Sequence, residues 1–185
     1  METGQMFQID LVERCKANDR KAQLRLYRQY CEGMFFVAKR FVNDPDDAED
    51  VVQEAFIKAF QKIDQFKGEV TFGAWLKRIV INKSIDFLKT KKERFQELNE
   101  NSIHIVEDDD WTVEDGISID EVKEAINQLT EKYRLVVQLY LMEGYDHKEI
   151  SQIMKLTETT CRTRLLRGKG HLKELLKERR YGTGS

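Results

Sequence analysis

With 185 residues, 41% apolar and 35% charged, the chain has room for one ordinary domain or two small ones, and its charge density disfavours a single large core. One proline and ten glycines are too few turn formers for a barrel or sandwich, so an all-α fold is expected. A net charge of −2 argues against a generic nucleic-acid coat, and no apolar run approaches the roughly 20 residues of a membrane span.

The N-terminal stretch METGQMFQIDLVERCKAND lacks an apolar signal core, which points to a cytoplasmic protein. A short helix is expected over 5–17. Asp19 can cap a longer helix to about Val42, in which Leu24, Tyr27, Cys31, Phe35, Ala38 and Val42 recur at helical spacing. Asp44 is a good N-cap for the next helix, with Pro45 at its first position and acids at the positive end of its dipole. Its apolar stripe is Val51, Ala55, Phe56, Ala59, Phe60 and Ile63. After the loop DQFKGEV, Thr71 caps FGAWLKRIVINKSIDFLKTKK, with Phe72, Trp75, Leu76, Ile79, Val80 and Leu88 as candidates for its buried side.

From about 93 to 120 periodicity fades and acids accumulate, which reads as a linker. Order resumes with the capping-box spacing of Ser118 and Glu121. Thr130 opens a helix that stops near Glu143, before Gly144. Asp146 and Glu149 form another capping box for a helix carrying Ile150, Ile153 and Met154. Lys155 and Leu156 turn the chain, and Thr157 caps a last helix whose Cys161, Leu165, Leu172 and Leu176 point inward. The expected architecture is therefore two small helical domains, 1–92 and 121–180, joined by an acidic tether over 93–120.

Charge comes in blocks. Residues 44–54 hold six acids and no base, and 77–92 hold six bases against Asp86 alone. Residues 97–121 hold ten acids and no Lys or Arg, and 162–180 hold eight bases and two acids. Two separate basic blocks suggest two contacts with a polyanion. Cys15, Cys31 and Cys161 are scattered, without a CxxC pair, and are expected to be small buried groups rather than disulfide or zinc ligands. His104, His147 and His171 are equally scattered, so no metal site, cofactor or catalytic pair is expected.

A short helix, a tight turn and a longer basic helix make a helix-turn-helix, whose second helix enters the major groove. Arginine suits that helix, because its planar fork pairs with guanine or with phosphate. The alternative is a solvated basic face on a bundle.

Two longer stretches resemble the extracytoplasmic-function (ECF) sigma factors of bacterial RNA polymerase. DAEDVVQEAFIKAF with FGAWLKRIVINKSIDFLK resembles their region two, and LTEKYRLVVQLYLMEGYDHKEISQIMKLTETTCRTRLLRGKGHLKELL resembles their region four. The resemblance implies a non-enzymatic factor that binds core polymerase and directs promoter recognition and initiation. It assigns docking on the clamp helices of the largest subunit to Asp50, Gln53, Glu54 and Ile57. It assigns −10 recognition and melting to Phe66, Lys67, Lys77, Arg78, Asn82 and Lys83. It assigns −35 duplex recognition to His147, Thr159, Thr160, Arg162, Thr163, Leu166 and Arg167. Further implied partners are the polymerase flap region and an anti-sigma factor.

Some readings stay open. Trp75 is either core or a stacking platform. The acidic tether either mimics nascent RNA or is a repelling spacer. Lys155 stands where the family often has glycine, so either it adopts positive φ at some cost or the turn follows another path. Tyr140 stands where many relatives carry arginine. A stand-alone helix-turn-helix regulator is the alternative function.

Overall fold

The computed structural model describes residues 10–94 and 117–182, and every regular element among them is helical. The chain divides into two units, Met1–Leu98 and Asn99–Ser185. The expected tether over 93–120 lies mostly outside the described residues. Its edges are shorter than expected: helix persists to Arg94, and the next helix already begins at Ile119.

In the first unit α1 (10–16) buries Leu11, Val12 and Cys15. Burial pushes the Cys15 thiol up to about 11, which leaves it an inert apolar group. Asn18 turns the chain at φ 59, and Asp19 caps α2 (Arg20–Val42) by accepting from the N–H groups of Lys21 and Ala22 at 2.8 and 3.2 Å. The Arg14 guanidinium, 2.7 Å from the Asp19 carboxylate, helps hold that carboxyl below its ordinary range.

The face that α2 buries differs from the expected one. Leu24 is 48% exposed, and Tyr27, Cys31 and Phe35 are only half-buried. The core side carries Ala22, Leu26, Met34, Val37, Ala38, Phe41 and Val42. Two apolar rows run along this helix at i+3/i+4 spacing, and packing against both α3 and α4 selects the one that periodicity alone ranks equally. Cys31 is correspondingly half-buried rather than buried.

Asp44 caps α3 (Pro45–Gln61) as expected, accepting from Asp46 and Asp47 at 3.0 Å, with Pro45 in the first turn. Its stripe is buried at Val51, Ala55, Phe56, Ala59 and Ile63, joined by Ala48 and Val52, with Phe60 half-buried. A short 3-10 turn (Ile63–Gln65) leads into the loop before α4 (Phe72–Arg94). The Thr71 hydroxyl accepts from the Ala74 N–H at 3.2 Å, so the expected cap is present. Phe72, Leu76, Val80 and Leu88 are buried, Trp75 and Ile79 half-buried, and Ile81, Ser84 and Ile85 widen the buried face. The buried Ser84 hydroxyl is satisfied by the Val80 carbonyl at 2.9 Å. Gly73 lets α2 and α4 approach: an added Cβ would lie 2.9 Å from Cε1 of Tyr30.

In the second unit Ser118 and Glu121 close the expected capping box on α5 (Ile119–Gln128), with bonds of 2.7 and 3.2 Å. The backbone N–H of Ser118 holds the Glu121 carboxyl below its ordinary range. The next helix is less regular than expected. α6 (Glu131–Val137) starts without a side-chain bond from Thr130, then widens into a π segment, Gln138–Met142, with the Glu143 N–H on the Gln138 carbonyl at 3.1 Å. Gly144 follows at φ 75. The Asp146/Glu149 box on α7 (His147–Met154) has bonds of 2.8 and 3.0 Å. Thr157 then caps α8 (Glu158–Gly182), its hydroxyl accepting from the Thr160 N–H at 3.1 Å.

The α7–α8 turn resolves the question at Lys155. That residue sits at φ 55, ψ 48, and its N–H and that of Leu156 both reach the Ser151 carbonyl. A left-handed lysine costs about 1–2 kcal/mol, whereas glycine there costs about 0.5–1 kcal/mol of extra chain entropy. Lys155→Gly is therefore expected to stabilise the second unit by about 0.5–1 kcal/mol, read as a higher urea midpoint. An unchanged or lower midpoint would mean that the interactions of the lysine outweigh the backbone gain.

Candidate nucleic-acid interface

Three groups of side chains carry the expected roles, two in the first unit and one in the second. On α3, Asp50, Gln53, Glu54 and Ile57 are all exposed, Ile57 at 58%. Their spacing places them along one side of the helix, opposite Val51, Val52, Ala55 and Ala59. An exposed isoleucine among polar groups makes an amphipathic strip of the kind a partner helix can cover.

The second group lies on α4 and the loop before it. Lys77, Arg78, Asn82 and Lys83 are half-buried on one stretch of α4, two turns long. Half-burial lets the stem of a lysine or arginine pack while its charged head stays at the surface. Phe66 is also half-buried. Its ring meets Phe72 at 5.7 Å edge-on and Trp75 at 5.5 Å, while Lys67 beside it is exposed. Phe72 in turn contacts Trp75 at 5.6 Å and Tyr30 at 5.5 Å, so four aromatic rings from α2, the loop and α4 form one cluster. Trp75 thus falls between the two readings open in the sequence: it braces Phe66 and retains a partly exposed surface.

The acidic and basic blocks are less separate than their sequence positions suggest. Lys83 Nζ lies 2.7 Å from a Glu54 carboxylate oxygen, and Lys91 Nζ lies 2.7 Å from Asp47. One side chain expected to dock a protein and another expected to meet DNA are ion-paired with each other. Sequence reasoning missed this pairing, because nothing in the spacing of 54 and 83 encodes how α3 and α4 align.

The third group lies on α8. Thr159, Arg162, Thr163, Leu166 and Arg167 are exposed, and Cys161, Leu165 and Gly168 between them are buried. This is one continuous outward face of the first turns after the helix start. Arg162 approaches Glu158 at 4.0 Å, a loose surface pair that a phosphate or base can displace. Thr163 gives its hydroxyl to the Thr159 carbonyl at 3.0 Å. Thr160 is placed differently: it is half-buried, and its hydroxyl lies 2.8 Å from that of Thr157, so it serves the cap before any ligand.

His147 opens α7. Its ring stacks on Tyr140 at 5.3 Å and 23°, and Lys169 Nζ lies 4.9 Å from the centroid of the same tyrosine. Tyr140 therefore gathers two basic side chains, from α7 and α8, at one point of this unit. The sequence reading saw in Tyr140 only a missing arginine. Gly168 was also missed, although a glycine inside a helical pattern is itself a signal of close packing. Among the described residues no group of three or more His, Cys, Asp or Glu is placed to hold a metal ion, and no helix is long and apolar enough to cross a membrane.

Comparison with known proteins places both units. The family model described as Sigma-70 region 2 matches residues 26–94, and that described as Sigma-70, region 4 matches 119–172. The ECF RNA polymerase sigma-E factor of Escherichia coli K12 is 31% identical over 170 residues, covering 86% of this chain and 88% of that protein. The RNA polymerase sigma-H factor of Pseudomonas aeruginosa is 30% identical over 171 residues, covering 86% and 88%. Among solved structures, the sigma factor RpoE of Bartonella quintana, in complex with the anti-sigma factor NepR, superposes with a TM-score of 0.55 at 23% identity, over 83% of this chain and 95% of that one. CnrH, in complex with the cytosolic domain of CnrY, gives 0.53 at 21% identity, over 92% and 97%. At these identities the two structures speak for the fold.

Proposed function

The chain belongs to the ECF group of sigma-70-type RNA polymerase sigma factors, and on that premise we propose a division of labour between its two units. The observation that carries the reading is the order of the two family matches, region 2 at 26–94 and region 4 at 119–172, one on each helical unit. A stand-alone helix-turn-helix regulator would account for the second match and leave the first without a role.

In this reading residues 1–92 bind core polymerase and act on the −10 element. Asp50, Gln53, Glu54 and Ile57 dock on the clamp helices of the largest subunit. Lys77, Arg78 and Lys83 neutralise phosphates of the opened strand. Asn82 offers both a donor and an acceptor to an exposed base edge, and Phe66 with Lys67 line the place where an unstacked base is held. Unstacking a base costs a few kcal/mol, which stacking at about 1–3 kcal/mol per base offsets. Residues 121–180 place the factor on duplex at −35 through Arg162, Thr163, Leu166 and Arg167. Thr159 adds a contact at the helix start, and His147 adds one to the DNA backbone. Thr160 contributes through its backbone and its cap. The acidic segment over 93–120 joins the two units.

The chain supplies no chemistry of its own in this reading. It works in the cytoplasm with polymerase, whose flap region is the further partner of the second unit. An anti-sigma factor restrains it in this reading, which the complex of Bartonella quintana RpoE with the anti-sigma factor NepR supports by analogy.

Arg162→Ala and Arg167→Ala test the −35 assignment. Each is expected to weaken holoenzyme binding to its −35 duplex by about 1–3 kcal/mol and to relax preference at one base position, with core binding unchanged. A uniform loss across all sequences, with the salt slope reduced by about one, would instead assign that arginine to phosphate. Wild-type promoter affinity in both variants would remove this face from the −35 contact.

A further inference from the structure

We infer that Glu54 and Lys83 form a link between polymerase docking and DNA contact, so that each surface of the first unit is only fully available once the other is engaged. The inference rests on assigning Glu54 to docking and Lys83 to DNA, and adds that the two are coupled.

The geometry has three parts. Glu54 and Lys83 are bonded at 2.7 Å, from α3 to α4. A phosphate approaching Lys83 therefore meets an ammonium whose charge is already partly neutralised, and must compete with a carboxylate for it. Second, the pair is reachable. The Glu54 side chain is 64% exposed and Lys83 is 26% exposed, so a cationic partner seated on the Asp50–Ile57 strip can take the carboxylate without disturbing the core. Third, a second bridge holds the same two helices together. Asp47 and Lys91 are also 2.7 Å apart, about two turns away along α3 and α4. The Asp47 side chain is only 23% exposed, and its hydrogen bond raises the Lys91 pKa. This second pair has no assigned ligand, and it still joins α3 to α4 while Glu54 and Lys83 exchange partners.

The consequence is a linkage. A positive group of the polymerase that pairs with Glu54 frees Lys83 for a phosphate, and a phosphate on Lys83 frees Glu54 for polymerase. Thermodynamic reciprocity requires the same factor in both directions. The pair is solvent-exposed, so the factor is modest, about two- to fivefold. By that factor the free chain holds non-specific single strands less tightly than the core-bound one.

The test uses the full chain and a fluorescein-labelled oligothymidylate single strand as a sequence-independent phosphate probe, with and without saturating core polymerase. In the free chain Glu54→Gln is expected to tighten single-strand binding about two- to fivefold. With core present the gain should vanish, because wild-type Glu54 is then already engaged. The double variant Glu54→Gln/Lys83→Gln should show no gain over Lys83→Gln alone. Glu49→Gln, which removes an exposed acid of the same helix, controls for the general loss of repulsion. An equal gain in Glu49→Gln, or a gain in Glu54→Gln that persists on core, would overturn the link. The underlying assignments fail separately: Lys83 is not a DNA contact if Lys83→Gln binds the strand normally on core, and Glu54 is not a docking residue if Glu54→Gln titrates core normally. The coupling alone fails if both single variants act as assigned and their effects simply add.

Discussion

Phe72→Ala is expected to destabilise the first unit by about 3–5 kcal/mol, the cost of truncating a large aromatic side chain in a packed core. Phe72 is 1% exposed and touches Tyr30, Phe66 and Trp75, so its ring joins α2, the loop and the start of α4. Small domains have about 5–15 kcal/mol in total, so this single change removes a large share. Amide exchange should accelerate throughout α2, α3 and α4 and stay unchanged in α5 to α8, because the two units fold around separate cores. Phe72→Leu separates stability from function. It keeps most of the volume and costs less than about 1.5 kcal/mol, yet removes the ring against which Phe66 stands. Promoter opening should then fall while core binding persists. A loss below about 1 kcal/mol in Phe72→Ala would show that the cluster is loosely packed and does not fix the loop.

Gly168→Ala is the corresponding change in the second unit. A Cβ at this position would lie 2.5 Å from Cγ2 of Val137 and 3.4 Å from Cβ of Tyr133, on the facing helix α6. A stiff valine of a buried helix has little room to give, so α6 and α8 must separate. Overpacking of this kind costs about 1–3 kcal/mol, against which alanine regains up to about 1 kcal/mol of helix propensity. The variant should lower the melting temperature of the second unit and weaken −35 binding, because the reading face of α8 moves with the helix. Core docking through α3 should be untouched. Val137→Ala in the same chain opens space opposite the new methyl and should restore part of both losses. A neutral or stabilising Gly168→Ala would mean that the close approach of α6 and α8 is not required.

Much of this was legible in the sequence because the signals were local. The caps at Asp19, Asp44, Thr71, Ser118, Asp146 and Thr157 each depend on a side chain and an N–H two or three residues away, and each is present. The inward face of α8 was legible for the same reason, since Cys161, Leu165, Leu172 and Leu176 compete with no second apolar row. On α2 two rows compete, and the choice depends on where α3 and α4 sit, which no local rule encodes. The π segment at Gln138–Met142, which carries the Tyr140 that meets His147 and Lys169, was missed because no breaker residue lies within it.

The charge pattern needs a similar correction. Read along the chain, acids and bases form alternating blocks that suggest separate surfaces. In the folded first unit the α3 and α4 blocks lie side by side and bind one another at Glu54–Lys83 and Asp47–Lys91. A modest net charge of −2 therefore conceals local pairing as well as local excess. The α8 face is different. There Arg162 meets Glu158 only loosely, at 4.0 Å, a surface pair that a polyanion can displace.

The division of labour between the two units is tested most directly by permanganate reactivity of promoter thymines in holoenzyme reconstituted with Asn82→Ala. Closed-complex formation should match wild type, because −35 contacts and core docking are intact, while thymine reactivity around −10 should fall sharply. Normal reactivity in that variant, with normal promoter binding, would contradict the assignment of strand opening to the basic face of α4.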